Sequence, residues 1–118
     1  MSNELPPIQI SLTSRFKKDL SKLAKRFRSI RQDLDPIINQ LQAGETPGDL
    51  ISGVKYQVFK VRLINSNLKK GKSSGYRILY YVKTETNIIL ATIYAKSDQS
   101  DIQNKVIESI IEKFEQEN

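Results

Sequence analysis

Three segments in the second half of the chain have the composition of strands: Tyr-Gln-Val-Phe-Lys-Val-Arg-Leu-Ile (56–64), Gly-Tyr-Arg-Ile-Leu-Tyr-Tyr-Val-Lys (75–83) and Ile-Ile-Leu-Ala-Thr-Ile-Tyr-Ala-Lys (88–96). Each is rich in the β-branched and aromatic residues that favour strands. A polar segment, 65–74, joins the first two, and a polar turn, 84–87, joins the second to the third. Connections of this kind predict three consecutive antiparallel strands.

Two helical segments precede these strands and one follows them. Apolar residues recur every three or four positions across residues 15–43, which predicts two antiparallel helices with a break between residues 27 and 36. Residues 8–12 alternate as a short first strand, and residues 102–114 carry an apolar stripe opposite an acidic face. We therefore predict one α+β domain, residues 1–118, in which a small antiparallel sheet is joined by two N-terminal helices and a C-terminal helix. We expect the helices to pack on one face of the sheet.

The composition excludes several classes of site. The 118 residues include no cysteine and no histidine, so disulfides, thiolate or imidazole metal sites and histidine-based catalytic triads are excluded. No apolar run approaches the roughly 18 residues that a membrane span needs, and the N-terminus lacks the pattern of a signal peptide. The expectation is a cytoplasmic protein that works without a cofactor or metal ion and without a membrane.

The charge is unevenly distributed along the chain. Residues 1–97 contain 17 basic and 7 acidic residues, a net charge of +10, whereas residues 98–118 contain 6 acidic and 2 basic residues, a net charge of −4. A basic body favours a polyanionic partner. The first helical segment contributes much of this charge, and its polar face suits a phosphate backbone, an acidic protein or solvent alone.

Alternation predicts a cationic face on the side of the sheet away from the helices. It places Lys60, Arg62, Arg77 and Lys96 on that face, with Tyr81 and Tyr94 among them. The loop residue Lys72 is within reach of the same face. The prediction assigns Ile89, Ala91 and Ile93 to the opposite, core face. Cations bind phosphate and tyrosine rings stack on bases, so the pattern favours nucleic-acid binding over a bland solvated face, which would interleave acids.

Such a face suits metal-free cleavage of RNA. It offers no carboxylate pair for two-metal hydrolysis. Metal-free cleavage needs a base for the 2′-hydroxyl, positive charge on the phosphorane and an acid for the leaving oxygen. Lysine can be the base where neighbouring cations lower its pKa, arginines can stabilise the phosphorane, and lysine or tyrosine can be the acid.

The same segments resemble a known toxin family. The runs Phe-Lys-Val-Arg-Leu (59–63), Gly-Lys-Ser-Ser-Gly-Tyr-Arg-Ile-Leu-Tyr-Tyr (71–81) and Ile-Tyr-Ala-Lys-Ser-Asp (93–98) are similar to those of the RelE/ParE superfamily, in its HigB/RelE-like branch. The resemblance spans roughly residues 8–112, and the Gly-Lys-Ser-Ser-Gly-Tyr-Arg run is its most specific part. It implies a RelE-like fold, a toxin of a type II toxin–antitoxin system and a cognate antitoxin as partner.

The resemblance also implies an activity and a set of site residues. Family members are metal-independent endoribonucleases that cut mRNA, usually on the ribosome, and thereby inhibit translation. Lys60 and Arg62 match the paired basic positions of the family's strand, and Arg77 matches its phosphate-binding arginine. Lys96 lies next to the second arginine position, which is Ser97 here, and the C-terminal tyrosine position falls at Gln103.

The resulting hypothesis is an mRNA interferase in which Arg62 and Arg77 hold the scissile phosphate. Lys60 or Lys96 would be the base, and Lys72, Tyr81 or Tyr94 would bind RNA or assist the leaving group. Operator DNA is a further expected partner, through the toxin–antitoxin complex. Because Ser97 and Gln103 depart from the pattern, two alternatives stay open: a ParE-like toxin directed at DNA gyrase, and a degenerate toxin that acts as a nucleic-acid-binding module.

Overall fold

A computed structural model describes residues 7–68, 75–99 and 101–117 of the chain. Lys72 therefore lies outside the described residues. The helices are α1 (Ser14–Arg26), α2 (Ile30–Gln42) and α3 (Asn104–Glu117), and the strands are β1 (Gln9–Leu12), β2 (Asp49–Leu50), β3 (Val58–Leu63), β4 (Tyr76–Thr84) and β5 (Asn87–Ala95).

The sheet formed by the described residues has the strand order β1-β5-β4-β3-β2. The strands β3, β4 and β5 pair antiparallel in chain order, as predicted. The short strand β2, which the sequence did not predict, pairs antiparallel with β3, and β1 pairs parallel with β5. The sheet is therefore mixed. The α+β class, the three central antiparallel strands and the placement of the helices along the chain are confirmed.

The first two helices pack on one face of the sheet. At the start of α1, the Thr13 hydroxyl accepts a hydrogen bond from the Phe16 N–H (2.9 Å) and donates one to the carbonyl of Ala91 in β5 (2.6 Å), which fixes the helix to the sheet. The break between the helices lies at residues 27–29, and α2 continues through Pro36. Phe16, Leu23 and the apolar residues of α2 share a core with the inward side chains of β3, β4 and β5.

The third helix packs on the opposite face, which corrects the expectation that all helices share one face. Ile107 and Ile111 of α3 form a second core with Val58 of β3 and Leu79 of β4. Both faces of the central strands therefore carry buried apolar side chains. Because both faces of β4 and β5 are buried, the sequences of these strands are near-continuous apolar runs.

A bulge in β5 changes which side chains reach the first core. Leu79 pairs with Thr92 and Tyr80 pairs with Leu90, so the ladder skips Ala91. Ile88 and Leu90 therefore join the core beneath α1 and α2, along with Ile93. The assignment of Ile89 and Ala91 to that core was wrong, because alternation along β5 reverses at the bulge.

Candidate nucleic-acid interface

Two arginines and a tyrosine form a row across the three central strands. Arg62 of β3 pairs with Arg77 of β4, and Arg77 pairs with Tyr94 of β5. Side chains directly opposite each other in antiparallel strands have Cβ atoms about 4.5–5.5 Å apart. The two arginines are thus rooted side by side, an arrangement that is unfavourable by itself and that allows both side chains to reach one anion.

The members of this row differ in exposure. Arg62 is exposed, whereas Arg77 has only 6% of its surface accessible and donates a hydrogen bond to the carbonyl of Tyr76 (3.1 Å). Arg77 is therefore the fixed group of the pair, and Arg62 is the group free to adjust to a ligand.

Tyr94 places a buried phenol beside the arginines. Its hydroxyl is buried and has no hydrogen-bond partner among the residues that the structure describes. Burial raises the pKa of Tyr94, the charge of Asp101 raises it further, and Arg77 opposes both. The phenol is protonated at neutral pH, so it can donate a hydrogen bond or a proton to a group that reaches it.

Lys60 lies on the same face and meets a carboxylate that sequence reasoning did not assign to the site. The Lys60 Nζ is 3.4 Å from the Asp101 Oδ1, which also accepts a hydrogen bond from the Ile102 N–H (2.9 Å). That backbone hydrogen bond, together with Lys60 and Lys96, lowers the pKa of Asp101 despite partial burial. Asp101 is ionised at neutral pH. In the sequence it counted only among the acidic residues of segment 98–118.

Lys60, Arg62, Arg77, Tyr94 and Lys96 are together called the cationic end of the sheet. Lys96 follows β5 directly, and its backbone N–H donates to the carbonyl of Gly75 at 2.9 Å. Lys96 acts electrostatically on Asp101, as Lys60 does. The structure thus brings together all four predicted catalytic cations and one of the predicted substrate-binding residues.

Tyr81 lies apart from the two arginines of the cationic end. It is four residues beyond Arg77 in β4, about 13 Å along an extended strand. Its ring packs edge-on against Tyr56 with the centroids 5.2 Å apart. Burial raises the pKa of Tyr81, and Glu115 of α3 adds to that effect. Tyr81 shares a face with Arg77, as predicted, but its neighbours are the side chains beneath α3, with Leu79 buried between the two regions.

The chemistry available at the cationic end comes from ammonium, guanidinium and phenol groups. Within residues 7–68, 75–99 and 101–117, no group of three or more carboxylates is placed to hold a metal ion. Cationic side chains that lie on one face of adjacent strands can bind phosphate oxygens, and a phenol beside them can donate a proton.

A comparison with family models assigns the chain to a family. The family model described as the RelE toxin of the RelE/RelB toxin–antitoxin system matches residues 15–114. The chain belongs to the RelE toxin family. No curated protein sequence matches it significantly. The matched span contains all but the first residue of α1, continues through β5 and includes most of α3, so it covers the whole cationic end.

This RelE-family chain departs from the family pattern at two positions. Both lie in the connection between β5 and α3. Ser97 and Gln103 are both exposed, and the Gln103 carbonyl accepts hydrogen bonds from the first turn of α3. Neither side chain is cationic or phenolic. Tyr94 is the phenol that the structure places near Arg77 instead.

A second basic surface lies on α1, the turn that follows it and the start of α2. Arg15 is paired with Asp19 (3.0 Å) and Arg26 with Asp98 (2.7 Å). The remaining cations of this surface are exposed: Lys17, Lys18, Lys22, Lys25, Arg28 and Arg31. The described helices include none that is both long and apolar enough to cross a membrane.

Proposed function

We propose that this RelE-family toxin is a metal-independent endoribonuclease that cuts mRNA on the ribosome and so inhibits translation. A cognate antitoxin would neutralise it in the cytoplasm, and the toxin–antitoxin complex would contact operator DNA. Membership of the family supports the toxin assignment. The observation that carries the nuclease proposal is the cross-strand pair of Arg62 and Arg77, with Tyr94 next to Arg77.

The proposed reaction is transfer of the phosphate from the 5′-oxygen to the neighbouring 2′-oxygen. A base, Lys60 or Lys96, removes the 2′-hydroxyl proton, and the 2′-oxygen forms a bond to phosphorus. The bond from phosphorus to the 5′-oxygen breaks, and an acid returns a proton to that oxygen. The products are a 2′,3′-cyclic phosphate and a 5′-hydroxyl.

Each remaining residue has a role that follows from its position. Arg62 and Arg77 would hold the two non-bridging oxygens, whose negative charge grows in the phosphorane. Tyr94 is suited to be the acid because it is protonated and adjacent to Arg77. Lys72 stays a proposed RNA contact, and Tyr81 would meet only a nucleotide some distance from the scissile phosphate.

Inducible expression in bacteria tests this proposal. The variants are Arg77→Ala and the exposed Arg62→Ala, with Arg31→Ala as the matched control. Arg31 is an exposed arginine of α2, so its loss changes the net charge equally without touching the cationic end. We expect each site variant to reduce mRNA cutting by about 100-fold or more, since a donor to a developing oxyanion is lost. Growth arrest should be lost in parallel.

Mapping of mRNA 5′ ends decides the outcome. New ends within translated codons, present in wild type and Arg31→Ala and absent in the site variants, would establish the nuclease. Unchanged cutting by a folded Arg62→Ala and a folded Arg77→Ala would overturn the assignment. Circular dichroism of the purified variants provides the folding control, which matters most for the buried Arg77.

A second candidate function is a toxin that binds its target without cutting RNA, such as a gyrase-directed toxin. The exposed, uncharged side chains at Ser97 and Gln103 favour it. Growth arrest with intact mRNA and with broken or abnormally supercoiled DNA would support this candidate. The absence of arrest from well-expressed protein would favour a degenerate, nucleic-acid-binding module.

A further inference from the structure

The connection between β5 and α3 carries two carboxylates, each of which neutralises a cation on a different part of the molecule. Asp98 is 2.7 Å from the Arg26 guanidinium of α1. Asp101 is 3.4 Å from the Lys60 ammonium of β3. The first pair lies beside α1, and the second lies at the cationic end of the sheet. The two carboxylates are three residues apart and differ in which basic group they meet.

Asp101 is placed as an anionic ligand of the cationic end. Its carboxylate is in contact with Lys60, and its charge acts on Tyr94, while Lys96 acts on it in turn. Each of these groups is one that the proposed reaction assigns to the scissile phosphate or to proton transfer. A carboxylate that contacts a cation of this set competes with RNA phosphate for that cation.

This contact is easily broken. The Asp101 side chain is 67% exposed and Lys60 is 33% exposed, so the pair lies in a high-dielectric region where ion pairs contribute little. Besides Lys60, the Asp101 carboxylate is held by the neighbouring Ile102 N–H. A phosphodiester with contacts to both arginines can therefore compete for Lys60.

We propose that Asp101 is an internal counter-anion of the cationic end, which RNA phosphate displaces from Lys60 and which thereby limits the affinity of the free protein for RNA. The inference rests on the proposed function, because it takes RNA as the ligand. Asp101 is therefore a positioning residue. It affects RNA binding through Lys60 and touches no reacting atom. Its negative charge also repels the incoming phosphate.

The test is the affinity for a fluorescent single-stranded RNA whose 2′-hydroxyls are all methylated. Such RNA has no free 2′-hydroxyl for the cleavage reaction, so binding is measured without turnover. Asp101→Asn removes the charge, and Asp98→Asn is the matched control, since it removes one charge from the same connection at the other pair. We expect Asp101→Asn to lower the dissociation constant by about 3- to 10-fold at low salt, and Asp98→Asn to change it by less than about 2-fold.

Two further variants separate charge from structure. Asp101→Ser retains an oxygen for the Ile102 N–H and should match Asp101→Asn, whereas Asp101→Glu retains the charge and should match the wild type. The gain in affinity should diminish as salt is raised, because salt screens exposed charges. Equal affinities for Asp101→Asn and Asp98→Asn would overturn the inference. So would weaker binding by Asp101→Asn, which would mean that Asp101 orients Lys60 for the ligand.

Failure of this inference is distinguishable from failure of the nuclease proposal. The mRNA cutting assay with Arg62→Ala and Arg77→Ala tests the nuclease and does not depend on Asp101. The affinity series tests Asp101 and does not depend on cleavage. If cutting requires the arginines while the Asp101 variants bind RNA as the wild type does, the nuclease stands and the counter-anion does not.

Discussion

At the scale of single residues, Gly48 shows how closely the backbone approaches a neighbouring strand. Its φ is +95°, and a Cβ at this position would lie against the Lys60 carbonyl oxygen and 2.9 Å from the Cβ of Val61. Gly44 has a similar φ, +90°, but a Cβ there would meet nothing within 4 Å. The two glycines share a backbone conformation and differ in the space around them.

Alanine substitutions should therefore separate strain from collision. We expect Gly44→Ala to lower the free energy of unfolding by about 1–2 kcal/mol, since an L-residue is disfavoured at positive φ. Gly48→Ala should cost about 1–3 kcal/mol more, because the added methyl displaces β3 at Lys60. Urea unfolding of the two variants gives both values. Equal losses of unfolding free energy in the two variants would show that β3 tolerates the methyl group.

Residue types and alternation predicted part of the cationic end but could not complete it. The side chains of Lys60, Arg62, Arg77 and Tyr94 share a face because strand alternation is a local property. Asp101 was missed because its position depends on the path of the connection after β5, which no periodicity encodes. Tyr81 was grouped with the others because alternation defines a face and says nothing about distance along the strand.

At the scale of elements, α3 decides how much of the second sheet face is available. Ile107 and Ile111 are almost completely buried against Val58 and Leu79. Polar contacts continue the interface, since Glu112 is 2.7 Å from the Lys55 ammonium and Glu115 is 2.8 Å from the Lys83 ammonium. Tyr94 of the cationic end belongs to the same buried core as Ile107 and Ile111, so the packing surface of α3 borders the cationic end.

Truncation of Ile107 measures this packing. We expect Ile107→Ala to lower the free energy of unfolding by about 2–5 kcal/mol, because a cavity opens between the helix and the sheet. Val106→Ala, at the neighbouring and 36% exposed position, should cost less than about 1 kcal/mol. Thermal or urea unfolding supplies the comparison. Similar losses at the two positions would mean that the buried face of α3 contributes no more than its exposed face.

The amphipathic pattern predicted α3 as a helix but could not determine which face of the sheet it covers. An apolar stripe requires a partner surface, and both faces of this sheet offer one: Ile78 and Tyr80 on one side, Val58 and Leu79 on the other. The bulge at Ala91 could not be predicted either, because a near-continuous apolar run has no clear alternation that a bulge could interrupt.

At the scale of the whole molecule, the acidic C-terminal segment is an internal partner for the basic body. Each of its six carboxylate residues contacts a group outside the segment. The contacts pair Asp98 with Arg26, Asp101 with Lys60, Glu108 with the Lys55 N–H, Glu112 with Lys55, Glu115 with Lys83 and Glu117 with Ser14. The division into a net +10 body and a net −4 segment, visible in the sequence, thus describes an interface within the fold.

This arrangement predicts a loss of stability in acid. The pKa of Glu112 is lowered by Lys55, and that of Asp101 by the Ile102 N–H and then by Lys60 and Lys96. With lowered pKa values in the folded state, the unfolded chain binds more protons as the pH falls. The stabilisation is therefore complete above the ordinary pKa values of 4.5 and 3.8 and is lost below them.

Urea midpoints measured at pH 7, 5, 4 and 3 check this prediction. The midpoint should change little from pH 7 to pH 5 and then fall as the pH drops through 4 to 3. The urea midpoint of Glu112→Gln should fall less steeply between pH 5 and pH 3, since this variant lacks one of the carboxylates that gain a proton on unfolding. Because the pairs are exposed, 0.5 M salt should reduce the difference between Glu112→Gln and the wild type at pH 7. A wild-type midpoint that stays constant down to pH 3 would show that these contacts do not couple α3 to the stability of the fold.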